Sequence, residues 1–340
     1  MDILNCRALK QRTGERLSSA SCDHKKLALI HAGIALGAGL VVSLLQLYLN
    51  RQIASTGGLA GLGTRTILET VQMVLDYGVN IALPFWEFGF IFVTLCLARG
   101  EATGTRDLTR GFRYFGPVIR LYLVETLIYI GVGFACVYAG SFLFTLTPWA
   151  APLQEQLLRM AEEGQSFDQM ITAMQALPQK QLLPMIMPGL LIMGALFAVV
   201  SVFLFYRFRM ARFIVMDEPR AGGIMALLLS SRMTKGCRWK LVRLDLSFWW
   251  FWLLTGLSMA AMYADMLLEK MGITLPVSGD MAWIVSYVLG CLIQLVVFWQ
   301  FNSYVQTVYA SAYEELRQRP AEEPKPQPVP QNVPWDDRYQ

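Results

Sequence analysis

Glu87 stands in the run Pro84-Phe85-Trp86-Glu87-Phe88, inside an apolar stretch of a 340-residue chain. An ionisable side chain at such a place costs about 2.5 to 3.5 kcal/mol where the stretch crosses a bilayer, so it is a functional candidate by default. Glu125 lies eight residues beyond Pro117, about 12 Å into the next apolar stretch at ~1.5 Å per residue. An antiparallel neighbour could bring it near Glu87, with both close to the midplane. Two carboxylates in a low-dielectric interior share a proton, the chemistry a proton- or cation-coupled carrier uses. Pro84 frees a backbone carbonyl one turn earlier, and Asn80 and Gln294 could add ligands. The plainer account makes each glutamate a protonated group bonded to a tyrosine, glutamine or carbonyl, with Arg120 pairing to Glu125. His31 lies one turn into the first stretch and the other histidine, His24, precedes it, so no metal site is expected. No phosphate-binding loop, His-Glu-x-x-His, Cys-x-x-Cys or Gly-x-Ser-x-Gly motif occurs. Neither an enzyme nor a bound cofactor is expected.

The elements that must carry these groups are six apolar stretches: Leu27 to Leu49, Gly78 to Ala98, Pro117 to Leu146, Leu183 to Tyr206, Leu246 to Leu268 and Ala282 to Tyr304. Each is long enough to cross a ~30 Å hydrocarbon core as a helix. Composition agrees: 55% hydrophobic and 16% charged residues depart from the soluble average toward a membrane solvent. A secreted disulfide scaffold, a nucleic-acid-binding domain and a disordered chain are excluded. The fold expected is all-α and polytopic, with six transmembrane helices and amphipathic linker helices on the cytoplasmic side.

Twenty-four of the 29 lysines and arginines fall in the head, in two linkers (99–116 and 207–245), at Arg120 and in the tail, all on one side of six spans. The opposite loops hold Arg51, Arg65, Arg159, Lys180 and Lys270. Positive loops stay inside, so both termini are expected in the cytoplasm of a bacterial cell. Residues 1–26 read as a basic head, 27–316 as the membrane domain and 317–340 as a disordered tail, in which six of the chain's fifteen prolines lie. None of the six cysteines falls in an outer loop, so no structural disulfide is expected. Glycines 57, 58, 61 and 63 read as an outer loop. Residues 153–177 read as two short amphipathic helices, with Ser166-x-x-Gln169 as a capping box. Trp149, Trp249, Trp250, Trp252, Trp283 and Trp299 read as interfacial anchors.

The two basic linkers resemble each other. Thr109-Arg110-Gly111-Phe112-Arg113 leads to Arg120-Leu121-Tyr122-Leu123, and Thr234-Lys235-Gly236-Cys237-Arg238 to Arg243-Leu244-Asp245-Leu246. Both units run the same way, which suggests a parallel internal repeat. In the second linker, Asp217-Glu218-Pro219 signals a helix start and Gly236 a stop. Ile224, Leu227 and Leu228 form its expected apolar face. From Arg207 to Arg243 the net charge is +7, so Arg207, Arg209, Arg212, Lys235, Arg238 and Lys240 are candidate contacts for anionic lipid, at about 1 kcal/mol per basic residue. Gly33-Ile34-Ala35-Leu36-Gly37 reads as a close-packing face.

Asp217-Glu218-Pro219, then Ser230-Ser231-Arg232-Met233-Thr234-Lys235-Gly236, then Leu244-Asp245-Leu246-Ser247-Phe248 with Trp250, Leu253 and Leu254, resembles the signature region of the bacterial membrane family called domain of unknown function 975. This chain has Glu218 where that family favours asparagine, Ser303 where a proline commonly precedes the tyrosine, and a longer outer loop after the third span. The resemblance implies a six-span bacterial membrane protein and carries over no activity or site. The expectation is a non-enzymatic membrane scaffold or envelope-homeostasis protein working through lipid and unidentified protein partners. The alternative is a proton- or cation-coupled carrier of small solutes.

Overall fold

The structure, a computed structural model, describes residues 4–20, 22–55, 62–164, 166, 168–170, 172, 178–273 and 279–318. The described chain is helical: α1 (Cys6–Ser19), α2 (His24–Ser55), α3 (Leu62–Arg99), a 3-10 turn (Thr105–Thr109), α4 (Arg110–Arg113), α5 (Phe115–Thr145), α6 (Ala151–Glu162) and α7 (Gln179–Phe208). It continues with α8 (Ala211–Asp217), α9 (Gly222–Met233), α10 (Arg238–Leu246), α11 (Trp249–Met262), α12 (Ala264–Lys270), α13 (Gly279–Val297), a π turn (Phe298–Asn302) and α14 (Ser303–Arg317). No strand occurs among the described residues. Five helical stretches, His24–Ile53, Gly63–Arg99, Phe115–Thr145, Leu183–Asp217 and Gly279–Arg317, are long and apolar enough to cross a bilayer.

The fifth expected span is broken. α11 and α12 meet at 70°, and the 14 residues of α11 cover ~21 Å, short of the ~30 Å core. The stretch expected over 246–268 is thus divided among three elements, Leu246 closing α10 and most of the rest falling in α11 and α12. Close packing sits at the break: a Cβ on Gly290 of α13 would fall 2.6 Å from the backbone nitrogen of Met262.

α3 corrects a second boundary. It starts at Leu62, not Gly78, and takes in Gly63 from the expected glycine loop; glycines 57, 58 and 61 lie outside the described residues. Its polar outer turns hold an Arg65–Glu69 pair (2.8 Å) and Asp76, which accepts from the Gln46 amide at 3.1 Å. Glu87 therefore lies about 18 Å from Arg99 and ~37 Å from Leu62, on the basic side of the midpoint of its helix.

The buried core gathers at that basic end. α14 buries Val305, Val308, Tyr309, Ala312, Tyr313 and Leu316, at helical spacing, among Leu9, Leu95, Phe213 and Met216. α1, capped by the Asn5 side chain, lies along α14: the Leu4 backbone NH donates to Glu315 Oε2 (3.1 Å) and Thr13 Oγ1 to Ser311 Oγ (3.1 Å). The two ends of the described chain thus meet on one side. Lys10 Nζ donates to the Ser247 carbonyl (2.9 Å) over the Phe248 ring, and burial lowers its pKa from the ordinary value. Toward the other side the helices expose Phe134, Tyr138, Phe142, Leu191 and Val199, the surface lipid would cover.

In the second linker Asp217 ends α8 and Pro219 opens a 3-10 turn before α9. Gly222 and Gly236 take φ of 73° and 78°, left-handed values that suit glycine. α9 buries Gly223, Ala226, Leu227 and Ser230, while Ile224 and Leu228 are exposed, so the expected apolar face is rotated. The reason is Gly223, whose missing side chain lets α9 approach α5: a Cβ there would sit 2.4 Å from Leu121 N. The two similar linkers are built differently, Gly111 being helical in α4 and Gly236 left-handed. The capping box at Ser166 and Gln169 forms in both directions, at 2.8 and 3.4 Å. Arg317, assigned by sequence to the tail, ends α14; residues 319–340 lie outside the described residues.

Candidate functional site

The site begins with a break between α7 and α8. Ser230, fully buried on α9, donates to the Arg207 carbonyl (3.0 Å) and accepts from the Met210 backbone NH (3.1 Å), and Thr234 Oγ1 donates to the same carbonyl at 3.3 Å. A side chain inserted into the helical ladder takes over groups that the next turn would have used. Arg209, beside this point, is 10% exposed, and Arg212 is 44% exposed.

Two aspartates tie this corner down. Asp245 accepts from Tyr206 OH (2.8 Å), Tyr309 OH (2.6 Å) and Arg209 (2.9 Å). The Arg209 guanidinium lies 4.7 Å from the Phe205 ring centroid and 4.2 Å from that of Tyr309. Asp217 pairs with Arg99 (2.7 Å) and Arg317 (3.0 Å) and accepts from Tyr313 OH (2.9 Å). Tyr309 and Tyr313, one turn apart on α14, each reach one aspartate.

Beside the Asp245 knot lies a cavity of about 210 Å³, lined by Glu87, Glu125, Arg209, Arg212, Tyr129 and Gln306, with aromatic walls from Phe205, Phe208, Phe213, Trp252 and Tyr309. Arg212 Nη1 meets Glu87 Oε1 at 3.0 Å. Glu125 faces the same space and makes no hydrogen bond or ion pair among the described residues. A second cavity of about 440 Å³ adjoins it and shares Glu87, Ile91 and Gln306. It is bounded by α2, α3, Tyr122 of α5, the π turn and α14. The His31 ring stacks on Phe90 (centroids 4.3 Å apart) and the Trp86 indole NH donates to the His31 carbonyl at 3.0 Å.

The structure thus brings Glu87 and Glu125 to one cavity and Glu87 and Asn80 to the other. The Asn80 amide also donates to the Asp76 carbonyl at 2.8 Å. Arg120 does not pair with Glu125: five residues apart, they stand ~140° apart around α5, and Arg120 is exposed. Gln294 lies elsewhere, buried against Ser258 Oγ between α13 and α11. Among the candidate lipid contacts, Arg209 turns inward to Asp245, and the exposed Arg212 pairs with Glu87. Arg207 donates to Ser231 Oγ (2.8 Å), and Arg238 lies over the Phe203 ring with its Nε buried and unpartnered. Lys235 is exposed and Lys240 half-buried. Sequence reasoning missed Arg212 as the partner of Glu87, and Gln306 and Asn302 as cavity walls. The signal was the polar spacing Asn302, Gln306, Tyr309 on one side of a helix otherwise read as ending at Tyr304.

Among the described residues no group of three or more His, Cys, Asp or Glu side chains is placed to hold a metal ion. The sequence model of the family described as "Protein of unknown function (DUF975)" matches residues 30–320. No curated protein matches the chain, and no solved structure matches it.

Proposed function

Since the chain belongs to that family, whose description assigns no activity, we propose from the cavity chemistry that it is a non-enzymatic, proton- or cation-coupled carrier of small solutes. The carrying observation is Glu125, an unpaired carboxylate in the same cavity as the Glu87–Arg212 pair. One arginine between two carboxylates leaves one negative charge for a proton or cation to neutralise. Thermal unfolding of the purified protein across pH, with and without sodium or potassium, tests this. Wild type is expected to show a proton- or cation-dependent stability, up to about 1.4 kcal/mol per pH unit for one linked proton. Glu125→Gln is expected to lose that dependence. Matching curves for the two proteins overturn the coupling role of Glu125.

A second reading, the membrane scaffold, draws support from Trp239, an exposed indole between Arg238 and Lys240, the composition of a surface that sits at anionic headgroups. Under that reading only vesicles of anionic lipid stabilise the protein. In either case the distribution of basic residues supports both termini facing the cytoplasm of a bacterial cell. A cysteine at Glu162 is then expected to react with an impermeant maleimide in intact cells, and one at Arg106 only after permeabilisation. The reverse pattern inverts the topology.

A further inference from the structure

The larger cavity contains more unsatisfied chemistry than packing requires. Asn302 is 4% exposed and lines it, yet its side-chain amide makes no hydrogen bond among the described residues. His31 is 8% exposed, also lines it, and its Nδ1 is buried without a partner. Gln306, half-buried in the same wall, is likewise unpartnered there. Buried polar groups are normally satisfied, and exceptions call for an explanation. Asn302 closes the π turn, a local widening of the helix that recurs at functional sites. At about 440 Å³ the cavity falls in the ~300–1,000 Å³ range of small-molecule sites, which are mostly apolar with a few convergent polar groups.

We propose that this cavity between α2, α3 and the π turn binds an uncharged, ring-bearing solute whose amide or hydroxyl groups pair with Asn302 and Gln306. Among the described residues the only formal charge in its wall is Glu87, already matched by Arg212. A charged ligand would leave water there without a counter-charge. The two amides instead offer donors and acceptors together, and Trp86, Phe90 and Phe298 supply flat apolar walls. The proposal deepens the carrier reading, resting on it for transport but not for binding.

The test is calorimetric titration of the full chain in detergent with nicotinamide and uracil as uncharged probes, and with nicotinate and benzylammonium as charged ones. The uncharged probes are expected to bind, and the charged ones at least about tenfold more weakly. Asn302→Leu is expected to weaken nicotinamide by about tenfold, and Ala35→Trp, which fills the cavity from the α2 side, to abolish binding. Nicotinamide binding is read at one fixed pH and without added sodium or potassium, so a failed coupling experiment and a failed binding site give different results. Absence of binding by both uncharged probes, a preference for either charged probe, or unchanged binding in folded Asn302→Leu and Ala35→Trp overturns the proposal.

Discussion

Asp245→Ala is expected to remove about 3–5 kcal/mol of stability, the usual consequence of stripping one partner from a buried ion pair. Arg209 is left 10% exposed between two rings, with no other carboxylate bonded to it among the described residues. The Tyr206 and Tyr309 hydroxyls lose their acceptor at the same moment. Those three bonds join α7, α10 and α14, so the damage spreads to the cavity that contains Glu125. Chemical unfolding of the purified protein in detergent checks it. Asp245→Asn, which retains an acceptor for a tyrosine, is expected to lose less, about 1–3 kcal/mol. The double variant Asp245→Ala with Arg209→Ala is expected to fall short of the sum of its parts, because the second change removes the stranded charge. A loss within ±0.5 kcal/mol for Asp245→Ala, the range of ordinary surface changes, would show that the knot contributes nothing.

Gly89→Ala and Gly111→Ala are the second large effects. A Cβ on Gly89 would lie 1.7 Å from the Leu108 carbonyl oxygen, and one on Gly111 would lie 1.8 Å from that of Phe85. Both clashes are with backbone, which cannot rotate away, so each substitution is expected to cost at least the 1–3 kcal/mol typical of overpacking. Gly78→Ala, with nothing within 4 Å of its Cβ, is the control. There the better helix propensity of alanine is expected to gain up to ~1 kcal/mol. Phe85 stacks on Phe112 and Phe115 in the same contact, with centroids 5.8 and 4.7 Å apart. Two residues from both Phe85 and Gly89, Glu87 stands ~160° round α3 from either. The 105–113 linker thus clamps one face of the helix and leaves the carboxylate on the other. If Gly89→Ala and Gly111→Ala melt with Gly78→Ala, the clamp is not tight.

Apolar length made the membrane class legible from the chain alone, because a run of about 20 residues without water-seeking groups has few other places to go. The side on which the basic residues collect was legible for the same reason, as charge is counted along the chain without knowing contacts. Glu87 and Glu125 were legible as candidates because their cost in an apolar run is local. Their separate fates were not. Arg120 is nearer to Glu125 in sequence, but the helical twist carries it away. Arg212, the partner Glu87 does meet, lies 125 positions away along the chain.

The aspartates in the motif Asp217-Glu218-Pro219 and in Leu244-Asp245-Leu246 were readable as a start signal and a span entry, yet both act as acceptors for tyrosines of α14. Such pairings join residues 64 and 96 positions apart. Hydropathy also misplaced the ends of two helices, stopping α3 short at Gly78 and the last helix at Tyr304. Polar residues continue a helix wherever its backbone bonds and one packed face suffice.

Amino-acid order by itself determined an all-helical membrane chain, its basic side, and two carboxylates worth attention. Tertiary structure alone decided which arginine answers which carboxylate, that α11 and α12 meet at 70°, and that Asn302, Gln306 and His31 line one cavity. The physical reason is that solvation and periodicity are summed along the chain, whereas pairing, close glycine contacts and cavities depend on distances between helices that no local window contains.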